Sequence, residues 1–210
     1  MAATRIPKAR PVTVRRARPE DAPAVAAIHV AAWHETYTGL LPPEMITAVT
    51  YEARLAWWAQ ILSSPPATPG GAAFLAERGG EAVGFGTCNA QRSDLLAAAG
   101  YDGEISGLYV LRAAQGQGVG SALTTALATT LQKAGYAAAG SWVLQANALG
   151  RRYCEGLGGT RVDAAVRGQG RLAEIAYGWR DLAPLAAAGD RGRRRGRGGP
   201  SAKTRTRDDG

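Results

Sequence analysis

The sequence predicts an α/β protein, with helices and strands interleaved around one mixed sheet (an α+β mixed sheet) in the order β-α-α-β-β-β-α-β-α-β-β. Three observations predict it. Apolar residues recur at helical spacing in two stretches, Val25, Ile28, Ala32 and Trp33, then Val119, Leu123, Leu127 and Leu131. Short runs rich in β-branched and aromatic residues alternate with these stretches. A glycine-rich turn at residues 115–121 joins one such run directly to the second helix.

Each element has a local reason. Residues 12–17 (VTVRRA) read as a first strand. Pro19, Glu20, Asp21 and Pro23 then open a helix, since proline suits the first turn and acids suit the positive end of the dipole. Gly39 and the Pro42-Pro43 pair break it. A second helix is expected over 44–62, with Leu55, Trp58 and Leu62 on one side. Residues 72–91 give a hairpin, two strand-like runs around a Gly-Gly turn. A strand is expected at 104–110 and a helix at 119–134, ended by Gly135. A strand at 140–145, a short helix at 148–157 and two closing strands at 160–166 and 171–179 complete the pattern.

Composition narrows the class. Hydrophobic residues make up 46% of the 210 and charged residues 20%, as in a globular protein in water. No apolar run approaches the ~20 residues of a membrane span, and the basic start lacks a secretory apolar stretch. The two cysteines, Cys88 and Cys154, indicate no disulfide framework and fit a reducing cytoplasm. His29 and His34 stand five apart with no cysteine cluster, so no metal site is expected.

The net charge of +8 is not a property of the whole fold. Residues 1–18 carry six basic side chains and no acid, and residues 189–210 carry eight basic against three acidic. The middle is therefore mildly acidic, at −3. Residues 1–11 are expected to form a flexible basic N-terminus. The Arg/Gly-rich segment 184–210 is expected to be a disordered tail, because it has too few apolar residues to offset chain entropy. Such a tail suits weak contact with polyanions.

The glycine turn between strand and helix suits a phosphate. The first N–H groups of a helix lack internal partners, glycine admits close approach, and the dipole favours an anion. Spacing excludes two uses of this device. There is no Gly-Lys-Ser/Thr, as a Walker loop needs, and Gly116, Gly118 and Gly120 do not match G-x-G-x-x-G. The pattern present is Gln115-x-x-Gly118-x-Gly120.

With its surroundings, residues 104–136, and with residues 142–162 (WVLQANALGRRYCEGLGGTRV), this stretch resembles the GNAT superfamily of acetyl-coenzyme A-dependent N-acetyltransferases. The resemblance covers residues 12–183, taken as one N-acetyltransferase domain. Residues 29–42 (HVAAWHETYTGLLP) also resemble a bacterial branch.

The resemblance implies site residues. The N–H groups of Gln115, Gly116, Gln117, Gly118, Val119 and Gly120, with Ser121, would hold the pyrophosphate of coenzyme A. Leu108, Tyr109 and Val110 would pair with the pantetheine arm, Val110 N–H would polarise the thioester carbonyl, and Asn147 would contact the arm. Glu104 would take the proton of the attacking amine, with Asp102 and Glu81 as weaker alternatives. On an unbroken strand Glu104 shares a face with Ser106, Leu108 and Val110. The family's acid tyrosine is replaced: Tyr153 stands one position early and Cys154 takes its place, so the proton for the leaving thiolate comes from one of these or from water. Trp33, Glu35 and Tyr37, with His34, are the expected acceptor-binding residues. The expected reaction is direct acetyl transfer to a primary amine, small molecule or protein. The alternative is a non-catalytic acyl-coenzyme A-binding or nucleic-acid-associated regulator. The oligomeric state stays open, a homodimer being compatible.

Overall fold

The computed structural model describes residues 11–187. The basic N-terminal residues before it and the Arg/Gly tail after it lie outside the described residues. The folded part runs slightly further than expected, since residues 183–187 are helical and Leu182 and Leu185 are buried in the core.

Seven strands form one sheet in the order β1-β2-β3-β4-β5-β7-β6. They are β1 (Val12–Arg16), β2 (Ala72–Arg78), β3 (Glu81–Ala90), β4 (Gly103–Val110), β5 (Ala139–Leu144), β6 (Thr160–Arg167) and β7 (Glu174–Trp179). Every pairing is antiparallel except β4 with β5. The helices are α1 (Ala22–Tyr37), α2 (Pro43–Thr47), α3 (Tyr51–Ser63), α4 (Asp94–Ala98), α5 (Val119–Lys133) and α6 (Ala148–Gly156).

Two expectations change. The helix expected over 44–62 is two helices, because Thr50 adopts extended backbone and its hydroxyl accepts from Ala53 N–H at 3.3 Å, capping α3. The loop after β3 contains α4, whose Leu96 is fully buried against Tyr101 and Ala138.

The sheet is covered on both faces. Leu123, Leu127 and Leu131 of α5 are fully buried with Phe74, Ile105 and Ile175, each contributing about 2 kcal/mol of apolar burial. On the other face Val25 and Ile28 of α1 and Trp58 of α3 enclose Leu75 and Phe85. Buried Asp21 fixes the entry to α1. Its carboxylate accepts from both terminal nitrogens of Arg15 (2.6 and 2.8 Å) and from Arg18 N–H (2.7 Å). The Arg15 guanidinium holds that carboxyl below the usual range.

β4 carries an irregularity that matters for the site. Thr87 of β3 stands opposite Gly107 and Cys88 opposite Ile105, so Ser106 is an extra residue. The alternation of side chains slips there. Ile105 before the bulge, and Leu108 and Val110 after it, all pack toward α5. Tyr109 packs toward α1 and α3. Glu104 therefore does not share a face with Leu108 and Val110, as an unbroken strand would have it; it shares one with Tyr109.

Candidate active site

β4 and β5 are hydrogen-bonded neighbours only at their beginnings, Gly103 with Ala139 and Glu104 with Gly140. Beyond those two pairs they diverge. The wedge between them is a groove of about 140 Å³ lined by Ile105–Tyr109 on one side and Ser141–Val143 on the other, with α6 beneath. The N–H of Leu111 bonds Val83 O on β3 at 3.0 Å. By strand alternation, Val110 presents its N–H and C=O to the open side. The carbonyl is taken there by the Gln115 side chain, Nε2 donating at 3.0 Å; the N–H lies on the same edge of β4, one residue past the groove's lining and without a partner on β5.

The glycine turn lies at the far end of β4. Gln115 N–H is used inside the turn, donating to Arg112 O at 3.2 Å, which takes it out of the expected phosphate set. Gln117 is a staple, its side-chain amide donating to Ala113 O at 2.7 Å. The N–H groups of Gly116, Gln117, Gly118, Val119, Gly120 and Ser121 have no backbone acceptor among the described residues. The glycines serve two different ends. Gly116 (φ 69°) and Gly118 (φ 83°) sit in left-handed backbone that other residues resist. Gly120 is helical, and a Cβ there would stand 3.1 Å from the Tyr153 ring and hydroxyl.

On the other side of the bulge a larger pocket opens, about 620 Å³. Trp33 and Tyr37 from α1, Tyr109 from β4 and Trp142 from β5 form its aromatic walls. The rings of Trp33 and Tyr37 lie 4.4 Å apart, and Arg167 stacks over Trp142 at 4.5 Å. The indole N–H groups of Trp33 and Trp142 have no hydrogen-bond partner. Glu104 lines this pocket, 7% exposed, and Arg92 grips it through both oxygens, Nε to Oε2 at 2.8 Å and Nη2 to Oε1 at 3.0 Å. A second pair, Arg167 and Glu174 (2.5 Å), stands on the same wall.

Several expected site residues are elsewhere. Glu35 does not line the pocket. Its carboxylate accepts from Arg112 N–H at 2.7 Å, and its carbonyl accepts from the Arg112 side chain, so it ties α1 to the approach of the glycine turn. His34 contributes its carbonyl to Thr38 and lies outside the pocket lining. Asp102 is spent on Ala137 and Ala138 N–H (3.1 and 3.0 Å), and Glu81 begins β3 in the exposed hairpin. Tyr153 and Cys154 border only the groove. The Tyr153 hydroxyl shares a hydrogen bond with Thr124 of α5 at 2.8 Å, and burial pushes its phenol up to about 12. Cys154 belongs to the core, and burial pushes its thiol up to about 12. A thiol so disposed is neither a ready nucleophile nor a ready acid. Asn147 borders the groove and caps α6, Oδ1 accepting from Gly150 N–H at 2.9 Å. Trp33 and Tyr37 do line the larger pocket.

Sequence reasoning missed Arg92, Trp142, Arg167 and Glu174. Arg92 lies between the expected hairpin and the expected strand at 104–110, a stretch given no element, and the other three lie on strands whose pairing order the sequence does not state. A signal existed only for Trp142, a large aromatic midway along the strand expected to border the groove.

A family model described as the acetyltransferase (GNAT) family matches residues 25–159. The chain is 31% identical over 178 residues to YuaI of Bacillus subtilis, described as an uncharacterized N-acetyltransferase, covering 83% of this chain and 96% of that one. Among solved structures it is similar to the PaiA N-acetyltransferase of Thermoplasma acidophilum in complex with coenzyme A (TM-score 0.61, 16% identity, 80% of this chain and 99% of that one). It is also similar to yncA of Salmonella typhimurium, a putative acetyltransferase with acetyl-CoA (TM-score 0.57, 23% identity, 81% and 94%). Fold and sequence together define an acyltransferase. The chain belongs to the GNAT family of acetyltransferases.

Among the described residues no cluster of His, Cys, Asp and Glu is arranged to hold a metal ion. No described helix is long and apolar enough to cross a membrane.

Proposed function

We propose that this protein transfers the acetyl group of acetyl-coenzyme A to the primary amine of a small molecule, by direct attack while both substrates are bound. One observation carries the reading. The wedge opened by β4 and β5 joins a run of six unpaired N–H groups at the mouth of α5 to an aromatic pocket holding a buried carboxylate. The residues fit the donor. The N–H groups of residues 116–121, at the positive end of a 15-residue helix, suit a pyrophosphate. The edges of β4 and β5, left unpaired after two rungs, suit an extended arm with amides of its own.

Within that arrangement the chain's residues have separate tasks. Val110 N–H would donate to the carbonyl oxygen as negative charge develops, a contact worth ~3 kcal/mol in the transition state. A lysine-like amine, with a reference pKa of ~10.4, arrives protonated and must lose a proton before it attacks. Glu104 is the acceptor for that proton, directly or through water, with Arg92 fixing the direction of both oxygens. The aromatic walls from Trp33, Tyr37 and Trp142 would hold the amine's carbon frame. The pocket's volume, about 620 Å³, is of the size that holds a small molecule. Two free, buried cysteines fit a cytoplasmic setting.

The experiment is release of free thiol from acetyl-coenzyme A across a panel of small amines and peptides. The expected outcome is turnover with at least one small amine. Heat stabilisation by acetyl-coenzyme A with no thiol release from any amine would favour a non-catalytic acyl-coenzyme A-binding regulator instead.

A further inference from the structure

The larger pocket carries charge in a pattern that a bare amine does not explain. Among the described residues its charged lining is two guanidiniums and two carboxylates, Arg92 with Glu104 and Arg167 with Glu174. Each carboxylate is already matched by a guanidinium. The lining therefore has no surplus negative charge to meet a second cationic centre, as a polyamine would need. In the sheet Glu104 stands beside Gly140, and Glu174 beside Leu144. The two ion pairs are thus four residues of β5 apart, roughly 13 Å along the strand. Trp142 stands between them on the same face of β5.

The two pairs are built differently. Arg92 spends Nε and Nη2 on Glu104. Arg167 spends only Nε, on Glu174 Oε2 at 2.5 Å. Its guanidinium carbon lies 4.5 Å from the centre of the Trp142 ring, so the group is held at two points. Nη1 and Nη2 of Arg167 have no partner among the described residues. Such a fork matches a carboxylate through two parallel hydrogen bonds. The other unpaired polar atoms of these side chains are mostly donors as well. Arg92 Nη1 and the indole N–H groups of Trp33 and Trp142 have no acceptor among the described residues. Of the four carboxylate oxygens only Glu174 Oε1 is untaken there. A carboxylate accepts hydrogen bonds and donates none, so it fits this inventory.

We propose that the acceptor is an amino acid, and that Arg167 binds its carboxylate while Glu104 receives the proton of its amine. The proposal rests on the acetyltransferase reading above and names the substrate class for the same site. The amine lies at the Glu104 end, where β4 and β5 begin to diverge, and the carboxylate at the Arg167 end, over Trp142. The carbon frame lies against Leu41, Met45 and Leu172, which line the same pocket. A zwitterion of zero net charge then fills a pocket whose own charges cancel. The acetyl carbon exchanges its C–S bond for a C–N bond: an ammonium and a thioester give an amide, a free thiol and one proton to solvent. The product is an N-acetylamino acid.

The test uses the full chain, thiol release from acetyl-coenzyme A and matched pairs of acceptors. The pairs are leucine with isopentylamine, phenylalanine with phenethylamine, and 4-aminobutyrate with propylamine; spermidine serves as a polycation. At least one amino acid is expected to exceed its decarboxylated partner by about tenfold or more in kcat/KM, with spermidine below both. Arg167→Gln is expected to raise the KM for that amino acid by about tenfold or more with kcat nearly kept, and so to remove the preference. Arg167→Lys keeps the charge without the fork and should retain part of it. Melting with and without acetyl-coenzyme A checks that each variant folds and holds the donor. Decarboxylated amines turned over as well as the amino acids, a preference that survives Arg167→Gln, or equal losses for both members of a pair overturn the proposal. If wild type takes up no acetyl-coenzyme A by calorimetry, or releases thiol with no amine of any kind, the acetyltransferase reading fails and this inference fails with it. Thiol release confined to amines outside the amino-acid class overturns the inference alone.

Discussion

Arg92 clasps Glu104 by both carboxylate oxygens, at 2.8 and 3.0 Å, from a side chain 64% exposed to one only 10% exposed. The guanidinium is at the surface and the carboxylate at the pocket floor, so the pair points a buried acid without burying its partner. Glu104→Gln keeps the shape and removes the carboxylate that takes the amine's proton in the proposed reaction. Turnover is expected to fall at least 100-fold, with coenzyme A affinity by calorimetry within about twofold. An unchanged rate would remove Glu104 from the reaction.

Gly118 and Gly120 should fail in different ways. Gly118→Ala forces a side chain into left-handed backbone at φ 83° with nothing within 4 Å to clash, costing about 1 kcal/mol of conformational strain. Gly120→Ala meets the Tyr153 ring at 3.1 Å. We expect Gly118→Ala to weaken coenzyme A binding while Tyr153 keeps its bond to Thr124. Gly120→Ala should additionally disturb Tyr153, visible as a change in near-ultraviolet circular dichroism.

Cys154 is expected to be a bystander. With its thiol pushed up to about 12 by burial, it should resist iodoacetamide at pH 8 in the folded chain. Cys154→Ala should keep turnover within about threefold, and mass spectrometry should find no acetyl group on the wild-type protein after exposure to acetyl-coenzyme A. An acetylated Cys154 would establish a covalent route instead.

His29 makes stability depend on pH. It accepts a hydrogen bond from Trp58 Nε1 at 3.1 Å, and burial, aided by the charge of Arg54, lowers its pKa from 6.5 to about 4. The unfolded chain therefore binds a proton between pH 6.5 and 4 that the folded chain refuses. This contribution is present in full above pH 6.5 and is lost as pH falls through 4, on the order of 3 kcal/mol across the window. Urea unfolding at pH 5 and pH 7.5 should show the difference, and His29→Gln should flatten it.

Much of the architecture was legible because the periodicities are strong. Leu123, Leu127 and Leu131 state one helix face, and the Gly79-Gly80 turn, with both residues at positive φ, states a hairpin. The site was less legible, for two physical reasons. A bulge is set by the neighbouring strand's register, so Ser106 looks like any strand residue, yet it decides which side Glu104 faces. Pockets are assembled by strands distant in sequence: Arg167 and Glu174 reach the site because β7 pairs with both β5 and β6. Glu35 shows the opposite error. Proximity in sequence to Trp33 and Tyr37 suggested a shared task, but the helix turns it away to Arg112.

The two rungs between β4 and β5 have a mechanical consequence. Among the described residues they are the sole main-chain ladder between a four-strand sector and a three-strand sector of the same sheet. A guest lying along both free edges would act as a crossbeam. Its presence should slow amide exchange in β5, β6 and β7 far more than in β1 and β2, so that the last third of the chain acquires part of its rigidity from what it binds.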